Sequence, residues 1–254
     1  MSFFDAPISY QKKRSLRYGL QNYMIEDFDF KSHSHCDVLE LGCGAGIDTV
    51  EFAKYGANVT ALDLSDASIK ASSELMKETG VKFKLMKHDL AKPLPFPDES
   101  FDIVYSFGVL HHIPKVAPVI TEVYRVLRPG GVFMGMLYNR NSLMYAYMKT
   151  FLHKIETERR LGCPYAKLYT IETAKKLLHR FAQVQVKTRY NVIDLPEHRK
   201  TKFTFRYMDF NGNIEDFDSE ILGWHLIFKA RKLPNDDKQT LNYKEAANRR
   251  PVLS

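Results

Sequence analysis

Val38-Leu39-Glu40-Leu41-Gly42-Cys43-Gly44-Ala45-Gly46 is the stretch whose reading decides the fold. The apolar run from Cys36 to Leu41 has the character of a short buried strand, and glycines at alternate positions turn the chain after it. A residue without a side chain lets the backbone pass close to a ligand and takes up positive φ without strain. The turn feeds Asp48 to Tyr55, which reads as a helix ended by Gly56. The start of that helix directs unpaired N–H groups at whatever lies above the turn.

Outward from the turn, strand and helix signals alternate. Asn58 to Leu62 reads as a second strand, and Ser65 or Asp66 can cap a following helix in which Ile69, Ser72, Leu75, Met76 and Thr79 lie close together. Gly80 ends that helix, and Val81 to Met86 is a third strand. After a proline-rich connection (Pro93 to Pro97), Phe101 to Phe107 is a fourth strand. Pro114 to Leu127 carries Val116, Val119, Ile120, Val123, Val126 and Leu127 at helical spacing, with prolines at its start, where a missing N–H is tolerated. Pro129-Gly130-Gly131 is expected to stop it, and Val132 to Leu137 to form a fifth strand. Such alternation implies a parallel sheet with right-handed crossovers, covering about residues 36–137.

The flanks are less regular. Gln11 to Ile25 is expected to be one helix in an N-terminal segment, residues 1–35, that covers the core as a lid. Beyond the core, Asn141 to Arg160 and Thr170 to Phe181 read as helices, and Val184 to Val192 as a sixth strand. An Asn211-Gly212 turn signal sits in the polar, aromatic stretch from Leu195 to Asp218. These make residues 138–220 a substrate-side insertion. Ile221 to Ala230 is a last buried strand, and residues 231–254 read as a mobile tail.

Composition narrows the class. The chain has 254 residues with 44% hydrophobic and 26% charged residues, ordinary for a globular protein with one full core. No apolar run is long enough to span a bilayer, and Lys12-Lys13-Arg14 follows the short Phe3-Phe4 patch instead of preceding an apolar segment. The expected location is the cytoplasm. Cys36, Cys43 and Cys163 match no zinc spacing, so reduced thiols and no metal are expected. The formal charge of +7 includes two clusters, Lys12, Lys13, Arg14, Arg17 and His198, Arg199, Lys200, Lys202, Arg206, that would suit RNA if they faced outward together.

The chemistry is written at the strand ends. A dinucleotide pyrophosphate would call for Gly-x-Gly-x-x-Gly, but here the pattern is Gly-x-Gly-x-Gly with Glu40 two residues upstream. An acidic residue suits the ammonium and sulfonium of S-adenosylmethionine (SAM) better than a pyrophosphate. Asp63, ending the second strand, can accept from both ribose hydroxyls, and Asp89, after the third, from an adenine amino group. Each acid alone could be a helix cap or a turn residue; the ordered set carries the reading.

VLELGCGAG, VTALDLS, KHDLAKPLPFPDESFDIVYSFGVLHHI and YRVLRPGG together resemble the successive motifs of class I SAM-dependent methyltransferases, in the group that includes ubiquinone and menaquinone methyltransferases. The resemblance implies an α/β fold: a Rossmann-like three-layer sandwich whose seven-stranded, mostly parallel sheet has an antiparallel last strand. It implies that Glu40, Gly42, Gly44 and Gly46 line the methionine end of SAM, with Cys43 inside the same turn. Asp63 would bind ribose, Leu64 the adenine face, Asp89 and Leu90 the adenine, and Ser106 would approach the methionine portion. The product would be S-adenosylhomocysteine (SAH).

Transfer needs nucleophile, methyl carbon and sulfur in line, and an oxygen or carbon acid acceptor also needs a base. His111 and His112, after the fourth strand, are the base candidates, although such a pair can equally serve only to pack the loop before Pro114. Tyr10, Tyr18, Tyr138 and His153 are weaker ones. Ser106-Phe107-Gly108-Val109 stands where exocyclic-amine nucleic acid methyltransferases carry Asn/Asp-Pro-Pro-Tyr, and no Pro-Cys nucleophile appears there either. The aromatics from Tyr138 to Phe217 suit an apolar or aromatic small-molecule acceptor, or else an insertion core or dimer contact. Two alternatives stand beside a small-molecule methyltransferase: an RNA methyltransferase, and a SAM-binding scaffold without turnover.

Overall fold

The computed structural model describes residues 8–142, 145–146, 165–189, 204–208, 214–218 and 223–234. Its sheet has seven strands: β1 (Asp37–Leu41), β2 (Asn58–Asp63), β3 (Lys84–Lys87), β4 (Phe101–Phe107), β5 (Leu127–Tyr138), β6 (Ala182–Arg189) and β9 (His225–Arg231). The spatial order is β3-β2-β1-β4-β5-β9-β6. Pairs β1/β2, β1/β4, β2/β3 and β4/β5 are parallel, and β9 runs antiparallel to both β5 and β6. The chain reverses its order of travel between β1 and β4, which opens a crevice at the carboxyl ends of the strands.

Helices cover both faces. On one side lie α1 (Tyr10–Leu20), α2 (Tyr23–Phe28), α3 (Ile47–Lys54) and α4 (Asp66–Thr79); on the other lie α5 (Val116–Val126) and α6 (Ile171–Leu177). Strand side chains alternate between the faces. On β1, Val38 packs with the α1–α4 side while Leu39 and Leu41 join the α5 side. On β4, Ile103, Tyr105 and Phe107 face α1–α4, and Val104 faces α5. This parity sends Glu40, which is paired with Tyr105 across the β1/β4 ladder, toward α3 and α1.

Local chemistry sets several boundaries as expected. Ser65 caps α4 by accepting the Ser68 N–H, and Gly80 closes it in the left-handed conformation. Thr170 and Thr173 form a reciprocal capping box at the start of α6.

Other boundaries differ. The expected helix from Gln11 to Ile25 is two helices, broken at Gln21-Asn22. The break sets Tyr23 against His225 (O to Nδ1 2.5 Å) and brings Asp27 to Arg189 (2.7 Å). Pro129-Gly130-Gly131 does not separate helix from strand: β5 starts at Leu127 and runs through it. The register jumps from Phe101–Leu127 to Ile103–Val132, a bulge that Gly130 permits with φ of +81°. The third strand starts at Lys84 instead of Val81, the sixth at Ala182 instead of Val184, and the last at His225 instead of Ile221. A separate antiparallel pair, β7 (Thr204–Met208) and β8 (Ile214–Asp218), flanks the Asn211-Gly212 step, which itself lies outside the described residues. Most of Asn141–Arg160, His153, Cys163, the cluster from His198 to Lys202 and residues 235–254 also lie outside them. No helix among the described residues is long and apolar enough to cross a membrane.

Candidate active site

At the carboxyl ends of β1 and β4 is an open cleft lined by Arg17, Glu40, Gly42, Cys43, Gly44, Ala45, Ile47, Asp48, Ser68 and Phe107. The three turn glycines have φ of +79°, +54° and +79° at Gly42, Gly44 and Gly46. Their surroundings differ. A Cβ on Gly42 would lie 2.3 Å from Val109 Cγ2, and one on Gly46 would lie 2.8 Å from Ser72 Oγ. A Cβ on Gly44 would meet nothing within 4 Å. Gly42 and Gly46 are thus glycines because neighbouring side chains crowd them. At Gly44 the protein leaves space, as a cradle for a ligand would.

Asp63 ends β2 beside this turn. Its carboxylate accepts the Gly44 N–H (2.9 Å) and the Ser65 N–H (2.9 Å), so it fixes the turn. Leu64 is 61% exposed, the most exposed of the large apolar side chains among the described residues. Such exposure of a leucine next to Asp63 fits an apolar platform for a flat ring. Asp89 accepts the Ala91 N–H (2.9 Å) in the loop after β3, and Leu90 packs half-buried against the core.

Buried charge concentrates at the floor and the lid side. Asp48, in the first turn of α3, accepts from Tyr18 (2.9 Å), from Tyr105 (2.8 Å) and from both sides of the Arg17 fork. Burial opposes the Arg17 charge, yet Asp48 outweighs it and holds the guanidinium firmly protonated. The Arg17 guanidinium also sits 4.5 Å over the Phe107 ring. Burial, then the Asp48 charge, pushes Glu40 up to about 8, against the opposing hydrogen bond from Thr49 and the charge of Arg17. Burial, then Glu40, raises the Cys43 thiol, which keeps it protonated and unreactive.

Behind this site, Tyr10 donates to Glu51 (2.6 Å), and Arg14 and Lys54 pair with the same carboxylate. Tyr10 and Tyr18 therefore fasten α1 to α3. Of the first basic cluster, Arg14 and Arg17 turn inward onto Glu51 and Asp48, and Lys13 is buried, so the cluster does not form an outward patch.

The histidines separate clearly. His111 is fully buried, its ring 3.7 Å from Tyr138 and 4.2 Å from His112, and neither ring nitrogen makes a hydrogen bond of ordinary geometry. Burial first, then His112 and His225, holds it well below the usual range, so it is neutral. His112 is half-buried, and its Nδ1 lies 2.8 Å from the Tyr165 carbonyl. Ser106 points to the α5 face, is fully buried, and donates to the Leu41 carbonyl (3.0 Å), so the pleat turns its side chain away from the cleft. Phe107, one residue on, lines the cleft instead. The turn residues and Glu40 are brought together, and Asp63 is joined to them through the Gly44 N–H; Leu64, Asp89 and Leu90 lie beyond the cleft lining. Arg17, Asp48 and Phe107 escaped the sequence reading. Asp48 could have been noticed as an acid two residues past Gly46, at a helix start.

The methyltransferase domain family matches residues 39–135. A sterol 24-C-methyltransferase of Gibberella zeae is 38% identical over 99 residues, which are 38% of this chain and 26% of that protein. A ubiquinone biosynthesis O-methyltransferase of Pseudomonas savastanoi pv. phaseolicola is 33% identical over 113 residues, 43% of this chain and 47% of that protein. The chain thus spans a quarter to about half the length of these curated relatives. Among solved structures, a SAM-dependent methyltransferase from Methanosarcina mazei superposes with a TM-score of 0.55 at 20% identity, over 82% of this chain and 97% of that one, a likeness of fold. The matched region holds the glycine turn, both acids at the strand ends and the histidine pair, on a seven-stranded, mostly parallel sheet whose last strand is antiparallel, as expected. Residues 39–135 thus match the methyltransferase domain family, and the sheet around them has the Rossmann-like fold of the solved SAM-dependent methyltransferase it superposes on.

Proposed function

We propose that this chain is a SAM-dependent methyltransferase acting on a small molecule. The observation that carries the reading is Gly44: a positive-φ glycine in the cleft, with open space where a Cβ would project, tied by its N–H to Asp63. Bound SAM supplies an activated methyl carbon on a sulfonium sulfur. In this reading the backbone at Gly42–Gly46 approaches the methionine end, and the acids Glu40 and Asp48 face its ammonium. Asp63 takes the ribose hydroxyls, Leu64 covers one face of the adenine, and Asp89 and Leu90 meet its edge. Fold and turn fit SAM, and a cationic ligand beside Glu40 would favour the ionised form of its carboxyl, which burial alone disfavours.

Of the two histidines, His112 is our candidate base, because it is the less buried. A carbonyl oxygen only accepts, so contact with Tyr165 puts the proton of the neutral ring on Nδ1 and leaves Nε2 as the basic nitrogen. His111, fully buried against Tyr138 and held neutral, is a packing residue in this reading. The domain roles we assign are these: residues 36–137 hold the cofactor, residues 1–35 cover it, and residues 138–220 with the strand His225–Arg231 shape the acceptor side, while Lys232, expected in a tail, is buried and hydrogen-bonded to the Gly130-Gly131 backbone. The acceptor we favour is apolar or aromatic, because Phe107, Tyr138 and Trp224 are half-buried at the ends of β4, β5 and β9, with Trp224 stacked on Tyr138 at 4.5 Å. The curated relatives, named as a sterol 24-C-methyltransferase and a ubiquinone biosynthesis O-methyltransferase, support an acceptor of that kind. We place the protein in the cytoplasm.

Methyl-labelled SAM incubated with the protein and cell extract tests this. Label in the small-molecule fraction is expected; label in nuclease-sensitive material would replace this reading with RNA methylation. Cofactor binding with label in neither fraction would leave a scaffold.

A further inference from the structure

His225 opens β9 beside the last residue of β5, its register partner Tyr138. The imidazole is 3% exposed. One neighbour is Phe107, a ring of the cleft lining 5.7 Å away, and another is Tyr138, nearly parallel to it at 6.3 Å. Its one hydrogen bond among the described residues joins Nδ1 to the Tyr23 phenol of α2 at 2.5 Å. Nε2 has no such partner. Unlike both nitrogens of His111, it is not among the sealed, unpartnered atoms of the described residues, so it borders open space. Burial, then the Arg17 charge, pushes the ring down to about 3, which leaves it neutral with a single N–H. A phenol is a stronger donor than an imidazole N–H, so Tyr23 donates to Nδ1 and the ring proton sits on Nε2.

We propose that His225 holds the methyl acceptor by donating from Nε2 to one of its oxygens, and that Tyr23 is the positioning residue that fixes this tautomer. This rests on the small-molecule methyltransferase reading above. Tyr138 also neighbours His112, whose ring is 5.7 Å from it. One aromatic ring thus has beside it a histidine whose free nitrogen accepts, His112, and a histidine whose free nitrogen donates, His225. An acceptor molecule lying against Tyr138 fits both when it has one group that gives up a proton and a second oxygen that keeps its lone pairs. A buried donor left unpaired costs more than a paired one gains, so a site of this kind rejects analogues that lack the second oxygen.

The experiment titrates the small-molecule fraction of cell extract against the full chain at saturating methyl-labelled SAM, with SAH calorimetry on each protein. His225→Phe keeps a ring and removes the donor; half-maximal labelling should need about tenfold more of the fraction, with SAH affinity within about twofold of the wild type. His225→Gln puts an N–H back near the place of Nε2 and should recover most of that loss, which a packing role would not produce. Tyr23→Phe should raise the half-saturation point about threefold, again without weakening SAH. If circular dichroism shows His225→Phe unfolded, Tyr23→Phe carries the test. Equal losses in His225→Phe and His225→Gln, unchanged half-saturation in His225→Phe or in Tyr23→Phe, or a labelled product with no oxygen besides the methylated atom would overturn the assignment. Wild-type protein that binds SAH and labels nothing would remove the methyltransferase reading, and this inference with it.

Discussion

Replacing Gly44 and Gly42 separately by alanine distinguishes a glycine kept for a ligand from one kept for packing. Both have positive φ, +54° and +79°, where an alanine costs about 1–2 kcal/mol. At Gly44 that strain is the whole expected cost, because a Cβ there meets nothing within 4 Å. At Gly42 the Cβ would come within 2.3 Å of Val109 Cγ2, and relieving such overpacking adds about 1–3 kcal/mol. For a chain of this size each kcal/mol lowers the melting temperature by about 2–4 °C, so we expect a fall of roughly 2–8 °C for Gly44→Ala and roughly 4–20 °C for Gly42→Ala. The ligand effect should run the other way relative to stability: Gly44→Ala, the milder lesion to the fold, should weaken SAH by about tenfold or more. Differential scanning fluorimetry and calorimetry on the same preparations measure both quantities. Equal destabilisation of the two variants would refute the contact argument. Unchanged SAH affinity in Gly44→Ala would refute the cleft as the cofactor site.

Other outcomes follow from the same geometry. Asp63→Ala removes an acceptor for the Gly44 and Ser65 N–H groups as well as a ribose partner, so SAH binding should weaken by about 1–3 kcal/mol in calorimetry; an unchanged constant would remove Asp63 from the site. Glu40, pushed up to about 8, keeps its proton in the native state between the ordinary carboxyl range and pH 8, where the unfolded chain has lost it. Its contribution to stability is therefore full at low pH and fades as pH rises through that window. Melting curves should show Glu40→Gln gaining on the wild type from pH 6 to pH 9 while binding SAH less well; parallel pH profiles would contradict the buried, protonated acid. His112→Ala should cut label transfer to an oxygen acceptor by about 100-fold or more with SAH affinity intact, whereas His111→Phe should retain transfer. Full transfer by His112→Ala would end its role as base.

The central sheet was legible because its signals are local. Alternating apolar runs, glycine stops and the Ser65 cap each act within a few residues, and β4 falls on Phe101–Phe107 as read. The positions that were misread depend on distant partners. The break between α1 and α2 is set by Tyr23 meeting His225 and Asp27 meeting Arg189, contacts more than 160 residues apart in sequence. The glycines at 130–131 signalled a stop, yet they serve a bulge whose register only the neighbouring β4 defines. In the site, the turn and Asp63 could be read from spacing, while the strand pleat decides that Phe107 and not Ser106 enters the cleft. Arg17 was visible only as one of several basic residues. Its role depends on the pairing with Asp48, 31 positions away, which no periodicity encodes.

Calorimetric titration of SAH into the full-length chain, with Gly44→Arg alongside it, tests the central claim most directly. The account predicts saturable one-site binding to the wild type and its loss in Gly44→Arg at unchanged circular dichroism. No binding to the wild type, or equal binding to both proteins, would contradict a cofactor site at the glycine turn.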